Sequence, residues 1–331
     1  MTSLVFDLGG THLRSAVAFG DGSLSHVTKE RLSTVSDGVG PDEVWQRIRE
    51  RLSRYVKDHI GHTATGSPIV VSFPGPIDEA GRILQAPTLT GGDAQIPNIQ
   101  AELESLSNRP VHLLNDLSAA AWYLSGFTAG RFMVVTVSSG IGSKVFDPTV
   151  GVLDDVPYAG EIGHTVADRS SDAVRCDCGG RGHLGAIASG RGIERRARQL
   201  AQANPRRFAQ SECAYRYGAT PETLCNERHL IPALQGGDEW ATQLVAHSVS
   251  YLACSLTQAI VVAGLRSVVV IGGFALAGGH IYLNLLRAAA KQCCDYDLLS
   301  DSIAGRLTLG SLGEEACLLG AGVYAKKMVR P

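Results

Sequence analysis

Cys176 and Cys178 stand one residue apart in CDCGGRGHLGAIASG (176–190), a pair of thiolate donors followed by glycines that let a loop fold back on a cation. That is half of a tetrahedral zinc site, and nothing adjacent in the chain completes it. A second pair is Asn115-Asp116 in LLNDLSAAAW (113–122), where a short apolar strand passes into an alanine-rich helix. A carboxylate at such a junction sits on rigid elements and can take a proton from a hydroxyl; it can equally be an ordinary helix N-cap. The third set is Asp7, Gly9, Gly10 and Thr11. Carboxylate and hydroxyl together can organise Mg2+ through water, and two glycines let backbone N–H groups approach anionic oxygens. The same residues also make a plain β-hairpin turn.

The elements that position these residues alternate between strand and helix. SLVFDLGGTHLRSAVAF (3–19) reads as strand, tight turn, strand, and RFMVVTVSSGIGSKVF (131–146) repeats that pattern. In the second copy Ser139, Gly140 and Gly142 make another anion-friendly turn, so two turns could hold a polyphosphate from both sides. The hairpins lie about 130 residues apart, which suggests a duplicated architecture. PIVVSFPGPID (68–78) is a β-branched run ending in a Pro-Gly turn. RSVVVIGGFALAGG (266–279) is a strand buried on both faces and stopped by Gly272 and Gly273, whose backbone can lie against a nucleobase or ribose. No G-x-G-x-x-G directly follows a strand, since the one run with that spacing (180–185) follows the cysteine pair, and G-x-x-x-x-G-K-[ST] does not occur, so neither a Rossmann nor a P-loop site is expected.

Helices fall between the strands. The segment 41–61 has Pro41 at its start, acids in its first turn, Gly61 as a stop, and Val44, Ile48, Leu52, Val56 and Ile60 on one face. Val245, Val249, Leu252, Leu256 and Ile260 mark a second apolar face, and the tail LGEEACLLGAGVYAKKMV is a further helix. The class is α/β.

The 331 residues allow two domains, and 44% hydrophobic with 19% charged residues is a globular composition. A formal charge of −2 offers no net attraction to nucleic acid or to an anionic membrane, so neither is expected as a partner. MTSLVFDLGGTHLRS lacks a basic stretch followed by an apolar run, and the expectation is a cytoplasmic protein. Its eight cysteines are then expected to be mostly reduced, as core residues or metal ligands rather than a disulfide framework. The apolar stretch YLACSLTQAIVVAGLRSVVVIGG is interrupted by polar residues and reads as a buried helix and strand.

Taken in order, these segments resemble the actin-like ATPase superfamily. LLNDLSAAAW, AGEIGHTV (159–166) and the C-x-C-G-x-x-G segment, with FPGPID and GEEACLLGAG, resemble the ROK family of sugar kinases and sugar-responsive repressors. The resemblance implies a two-lobed, ribonuclease H-like α/β fold with a cleft between the lobes. The N-terminal lobe would span 1–115 plus a C-terminal helix at about 313–331. The second lobe would span 116–312, with a zinc-type loop at 164–183 and a helical insertion at about 191–240. It implies Asp116 as general base, Asn115, Glu161 and His164 as sugar-binding residues, and ATP and Mg2+ held by the glycine turns. It also implies a structural Zn2+ on His164, Cys176 and Cys178, with His183 standing where the family has a third cysteine. A homodimer is common in the family.

Gly185 stands where ROK hexokinases carry a sugar-binding Glu. One lost charged hydrogen bond is worth roughly 1.5–3 kcal/mol, so either another residue replaces that Glu or the acceptor differs from glucose on that side. A C7-cyclitol of the valiolone or valienone type, phosphorylated on its primary hydroxyl, fits that change. The other readings are a catalytically silent sugar-binding protein and a sugar-responsive repressor. The repressor needs a helix-turn-helix ahead of the first phosphate hairpin.

Overall fold

The apolar N-terminal run forms β1 (Thr2–Leu8), which pairs residue for residue with β2 (His12–Phe19), Asp7 opposite Arg14 and Leu8 opposite Leu13. In the computed structural model, which describes residues 2–78, 80–91, 95–294, 296 and 299–329, this hairpin belongs to a sheet of order β3-β2-β1-β4-β5. β3 (Leu24–Arg31) is antiparallel to β2, whereas β4 (Ile69–Phe73) is parallel to β1 and β5 (Val111–Asn115) is parallel to β4. Every residue of β4 is buried, as a continuous apolar run inside a parallel sheet should be.

The helix α1 (Pro41–His59) starts at its proline and buries Val44, Ile48, Leu52 and Val56 against this sheet's core. It stops before Gly61: Ile60 caps it, half-buried, and begins a short 3-10 turn. α2 (Pro87–Thr90), α3 (Ile99–Ser107), α4 (Asp116–Leu124) and α13 (Ala316–Met328) complete this part. Gly320 lets α13 lie directly on α4, because a Cβ there would overlap the Ala119 carbonyl oxygen. This packing moves the expected boundary at 115/116. The first compact unit comprises Met1–Thr128, Thr149–Ala159 and Leu312–Pro331, so α4 belongs to it. The last two residues of the expected C-terminal helix, 330–331, lie outside the described residues.

The second unit, Ala129–Pro148 with Gly160–Ser311, has the same strand logic. β6 (Phe132–Val137) and β7 (Ile141–Asp147) form a hairpin, and β9 (Ser267–Ile271) runs parallel to β6. β10 (Leu307–Leu309) runs parallel to β9. The order β10-β9-β6-β7 thus matches β5-β4-β1-β2, the duplication that the paired hairpins predict. β8 (Gly151–Val152) is a two-residue strand counted with the first unit.

Helices α5 (Leu184–Ala188) and α6 (Gly190–Ala203) follow the cysteine loop, then the short α7 (Pro205–Phe208), α8 (Glu212–Tyr215) and α9 (Ile231–Gln235). α10 (Glu239–Ala263) buries the predicted face Val245, Val249, Leu252, Leu256 and Ile260. By length and composition α10 alone among the described helices could cross a membrane, and that same face is built into the core. α11 (Gly273–Cys293) kinks at Gly279, and α12 (Ser300–Gly305) leads into β10. The cysteines are mostly free, as expected, with one exception. Cys254 on α10 and Cys293 on α11 form a disulfide, because the two helices bring their Cα atoms to 5.2 Å across 39 residues of sequence.

Candidate active site

In the first unit the chemistry collects at the carboxyl ends of the parallel strands, the usual ligand end of an open α/β sheet. Asp7 sits near the end of β1, 6% exposed, between Arg14 of β2 and Ser72 of β4. Arg14 Nη1 donates to Asp7 Oδ2 at 3.2 Å and Ser72 Oγ to Oδ1 at 3.2 Å. Burial pushes the Asp7 carboxyl above its ordinary value of 3.8, and Arg14 and then Ser72 pull it partly back. The Gly9–Thr11 turn beyond it is not held open by backbone strain. A Cβ on Gly9 or Gly10 would meet nothing closer than 3.4 and 3.5 Å, so the fold itself does not demand glycine at either position. Thr11 is exposed, its hydroxyl 3.0 Å from His12 Nδ1.

Asn115, not Asp116, caps α4. Its Oδ1 accepts from Leu117 N at 3.0 Å, and its Nδ2 donates to the Gly75 carbonyl at 3.0 Å. Each end of the amide is thus committed once to the protein, leaving one N–H and one lone pair for a ligand. Asp116 occupies the first helical position, half-buried, with its Oδ1 2.8 Å from Leu117 N. Cys317 of α13, which the sequence did not single out, lies against both acids. Its thiol donates to the Asp116 carbonyl at 3.7 Å, and the Asp7 carboxylate is near enough to act on it electrostatically. Burial and then the two carboxylates push that thiol well above its ordinary value, so it stays protonated.

In the second unit the β6–β7 turn is Ser138–Gly140, with Ser138 N bonded to Gly140 O at 3.0 Å. Gly142 lies beyond it, in β7 opposite Thr136. Ser138, Ser139, Gly190, Arg191, Gly273 and Phe274 line a cavity of 580 Å3. Two helices, α6 and α11, begin on this cavity, and first-turn N–H groups favour anions. Gly272 has to be glycine: its φ is +100°, and a Cβ would come within 2.6 Å of Val137 O and 2.7 Å of Thr136 Oγ1. Asn226 and Glu194 line the same cavity; Asn226 Nδ2 donates to Gly190 O at 2.8 Å, and Asn226 N to Glu194 Oε2 at 2.9 Å. Sequence reasoning found Ser139 and Gly273 but not Arg191, Glu194 or Asn226. Ser189-Gly190, an N-cap before a helix, was the available signal; Asn226 had none.

The cysteine loop is a knuckle of short backbone bonds, Cys176 N to Gly180 O at 2.8 Å and Gly182 N to Val174 O at 2.8 Å. One ligand atom each from His164, Cys176, Cys178 and His183 lie within 4.8 Å of one another, and Cys178 Sγ is 3.2 Å from His183 Nδ1. Tetrahedral zinc with N and S ligands places donors about 3.3–3.8 Å apart; two imidazoles and two thiols are the right donors, and their spread comes within about 1 Å of that spacing. Gly180 makes room for the longer imidazole, since a Cβ there would overlap the His183 ring. Glu161 and His164 are both exposed, their side chains 4.0 Å apart across a turn that Gly160 and Gly163 seat on β7. Gly185 packs on that turn: a Cβ would lie 3.1 Å from the Gly163 carbonyl oxygen.

Residues 4–328 match the model of the ROK family. This chain belongs to the ROK family. A C(7)-cyclitol 7-kinase of Streptomyces hygroscopicus subsp. limoneus is 37% identical over 328 residues, 97% of this chain and 93% of the relative. An N-acetylmannosamine kinase of Escherichia coli O1:K1 / APEC is 32% identical over 288 residues, 86% of this chain and 87% of the relative. Among solved structures, the ROK hexokinase from Thermus thermophilus superposes with a TM-score of 0.74 at 27% identity, covering 99% of each chain. The ROK member therefore has the actin-like ATPase fold.

Proposed function

We propose that this ROK protein is an ATP-dependent kinase that phosphorylates the exocyclic primary hydroxyl of a C7-cyclitol. The kinase activity itself follows from relatives that are cyclitol and sugar kinases. The observation that carries the acceptor is Gly185. Where the family resemblance puts a sugar-gripping Glu, this chain has no side chain and seats the Glu161–His164 turn 3.1 Å from the missing Cβ. The 37% identity to a C(7)-cyclitol 7-kinase supports the same class.

Phosphoryl transfer is mainly positioning and charge neutralisation, and the residues divide accordingly. Asp116 accepts the proton from the attacking hydroxyl, held in place by the first turn of α4. Asn115, with one donor and one acceptor still open, and Glu161 and His164 bind acceptor hydroxyls. Asp7 and Thr11 hold the waters of Mg2+, which neutralises the phosphate charge when bound. Gly9 and Gly10 leave the outer face of their turn open to phosphate oxygens. Ser139, Gly140 and Gly142 belong to the second unit's turn, and Gly272 and Gly273 set the first turn of α11 against the nucleotide in the 580 Å3 cavity. His164, Cys176, Cys178 and His183 would hold a structural zinc, four protein donors being the complement of a closed, non-catalytic site. It braces His164 in the acceptor loop. The kinase works in the cytoplasm beside its ATP, as a homodimer by family resemblance.

An ADP-release assay with Mg-ATP tests the acceptor on C7-cyclitols, glucose, mannose and N-acetylmannosamine. The expected result is turnover of a cyclitol with kcat/KM at least about tenfold above that for glucose. Gly185→Glu should lower that preference by disturbing the Glu161–His164 turn. Faster turnover of glucose than of any cyclitol would overturn the acceptor assignment and leave the kinase intact.

A further inference from the structure

Asp177 lies between the two cysteines of the metal cluster, yet its carboxylate points to α6. Arg191 Nη1 donates to Asp177 Oδ2 at 2.7 Å, and Arg195 Nη2 donates to Oδ1 at 3.0 Å. Arg195 Nη1 also donates to the Arg175 carbonyl at 2.9 Å. Residues 175 and 177, the immediate neighbours of Cys176, are thereby tied to successive turns of one helix. That helix begins at Gly190, and both Gly190 and Arg191 line the 580 Å3 cavity. One carboxylate is shared by two guanidiniums, so Arg191 keeps unneutralised charge on a cavity that Glu194 and Glu227 also line. The individual ion pairs are exposed and contribute little to stability, Asp177 and Arg191 being 60% and 59% open. Their effect lies in where they hold the arginine. A flexible guanidinium bonded at a fixed carboxylate has less freedom left to lose when it meets a phosphate.

We propose that Asp177 is a positioning residue that holds Arg191 toward the nucleotide polyphosphate, so that metal in the His164–Cys176–Cys178–His183 cluster raises nucleotide affinity. The proposal rests on the reading of the cavity as the nucleotide site and of the cluster as a zinc site. Metal fixes the backbone on both sides of Asp177, Asp177 fixes Arg191, and Arg191 contacts the phosphates. The coupling must be reciprocal: bound nucleotide slows the loss of zinc.

The test measures binding, without turnover, of a non-hydrolysable ATP analogue and of adenosine, by calorimetry. It compares the zinc-loaded protein with chelator-stripped protein shown to be folded by circular dichroism. The analogue is expected to bind about tenfold more tightly to the zinc-loaded protein, while adenosine, which has no phosphate, is unaffected by zinc. In Arg191→Met the analogue binds weakly with or without zinc, and adenosine binds as before. Asp177→Asn keeps zinc and loses the zinc dependence. If stripping unfolds the protein, zinc transfer to a chromophoric chelator replaces it: saturating analogue slows transfer several-fold in the wild type and leaves Arg191→Met unchanged. Full zinc dependence retained in Arg191→Met would overturn the proposal. A wild type that binds the analogue and zinc independently would also overturn it while leaving both site readings standing. No retained zinc would remove the metal reading, and no analogue binding would remove the nucleotide reading; either takes the proposal with it.

Discussion

At the β1–β2 turn the strand ends on a buried carboxylate, Asp7, braced by Arg14 and Ser72, with Asp116 on the neighbouring α4. At the equivalent β6–β7 turn there is no acid, and Ser138, Ser139 and the first turns of α6 and α11 face a cavity instead. The sheets have the same strand order, so the backbone does not account for the difference. Side chains do. Under the proposed function, one copy of the hairpin would serve a cation and a proton, the other an anion. The two similar turns differ in a few residues: an acid at the end of β1, and hydroxyls and glycine at the β6–β7 turn.

The comparison is broken most severely at Asp116. In Asp116→Asn, kcat should fall by roughly 10^2–10^4-fold with nucleotide binding unchanged, as steady-state kinetics and calorimetry would show. A fall confined to KM would mean that Asp116 binds the acceptor and takes no proton.

Asp7→Asn should lower kcat/KM by about 10^2-fold and yet raise stability. Burial holds the folded pKa of Asp7 above 3.8. The stabilising contribution of such a raised group is complete below the unfolded value and is lost as pH rises through the folded one. At pH 7 the ionised carboxylate therefore costs stability, and the variant should unfold at higher urea. That advantage should shrink as pH approaches 3.8. A variant less stable at pH 7 would show that the Arg14 pair outweighs the burial.

Cys178→Ser should bring bound zinc, measured by elemental analysis, from about one per chain to near zero, because a hydroxyl is a poor zinc ligand. Unchanged stoichiometry would move the site away from this cluster. The smallest effects separate two glycines of the second unit. Gly272→Ala should cost about 1–3 kcal/mol in urea unfolding, since its φ is +100° and Val137 O blocks the new methyl group. Gly140→Ala, with nothing within 4 Å, should stay within about 0.5 kcal/mol and weaken nucleotide binding alone. Equal unfolding costs would erase the distinction between structural and ligand-facing glycine.

Features set by neighbours in the chain were legible beforehand. The apolar faces of α1 and α10, the two hairpins and the strand buried before Gly272 follow from residue spacing, because each depends on backbone periodicity within a few residues. Through the family resemblance the chain also disclosed the four candidate metal donors, 164 to 183, which one short loop brings together. Tertiary packing decided the rest. Cys317 reaches Asp116 across 201 residues, Asn226 reaches Gly190 across 36, and Cys254 reaches Cys293 across 39. It also moved α4 into the first unit, through a glycine on α13 that admits the Ala119 carbonyl. Such contacts join elements through a shared core, and a core specifies volume and burial rather than partners in sequence. The sequence by itself determined which turns could carry charge; only the packed helices decided that Arg191 and the cysteine loop meet beside one of them.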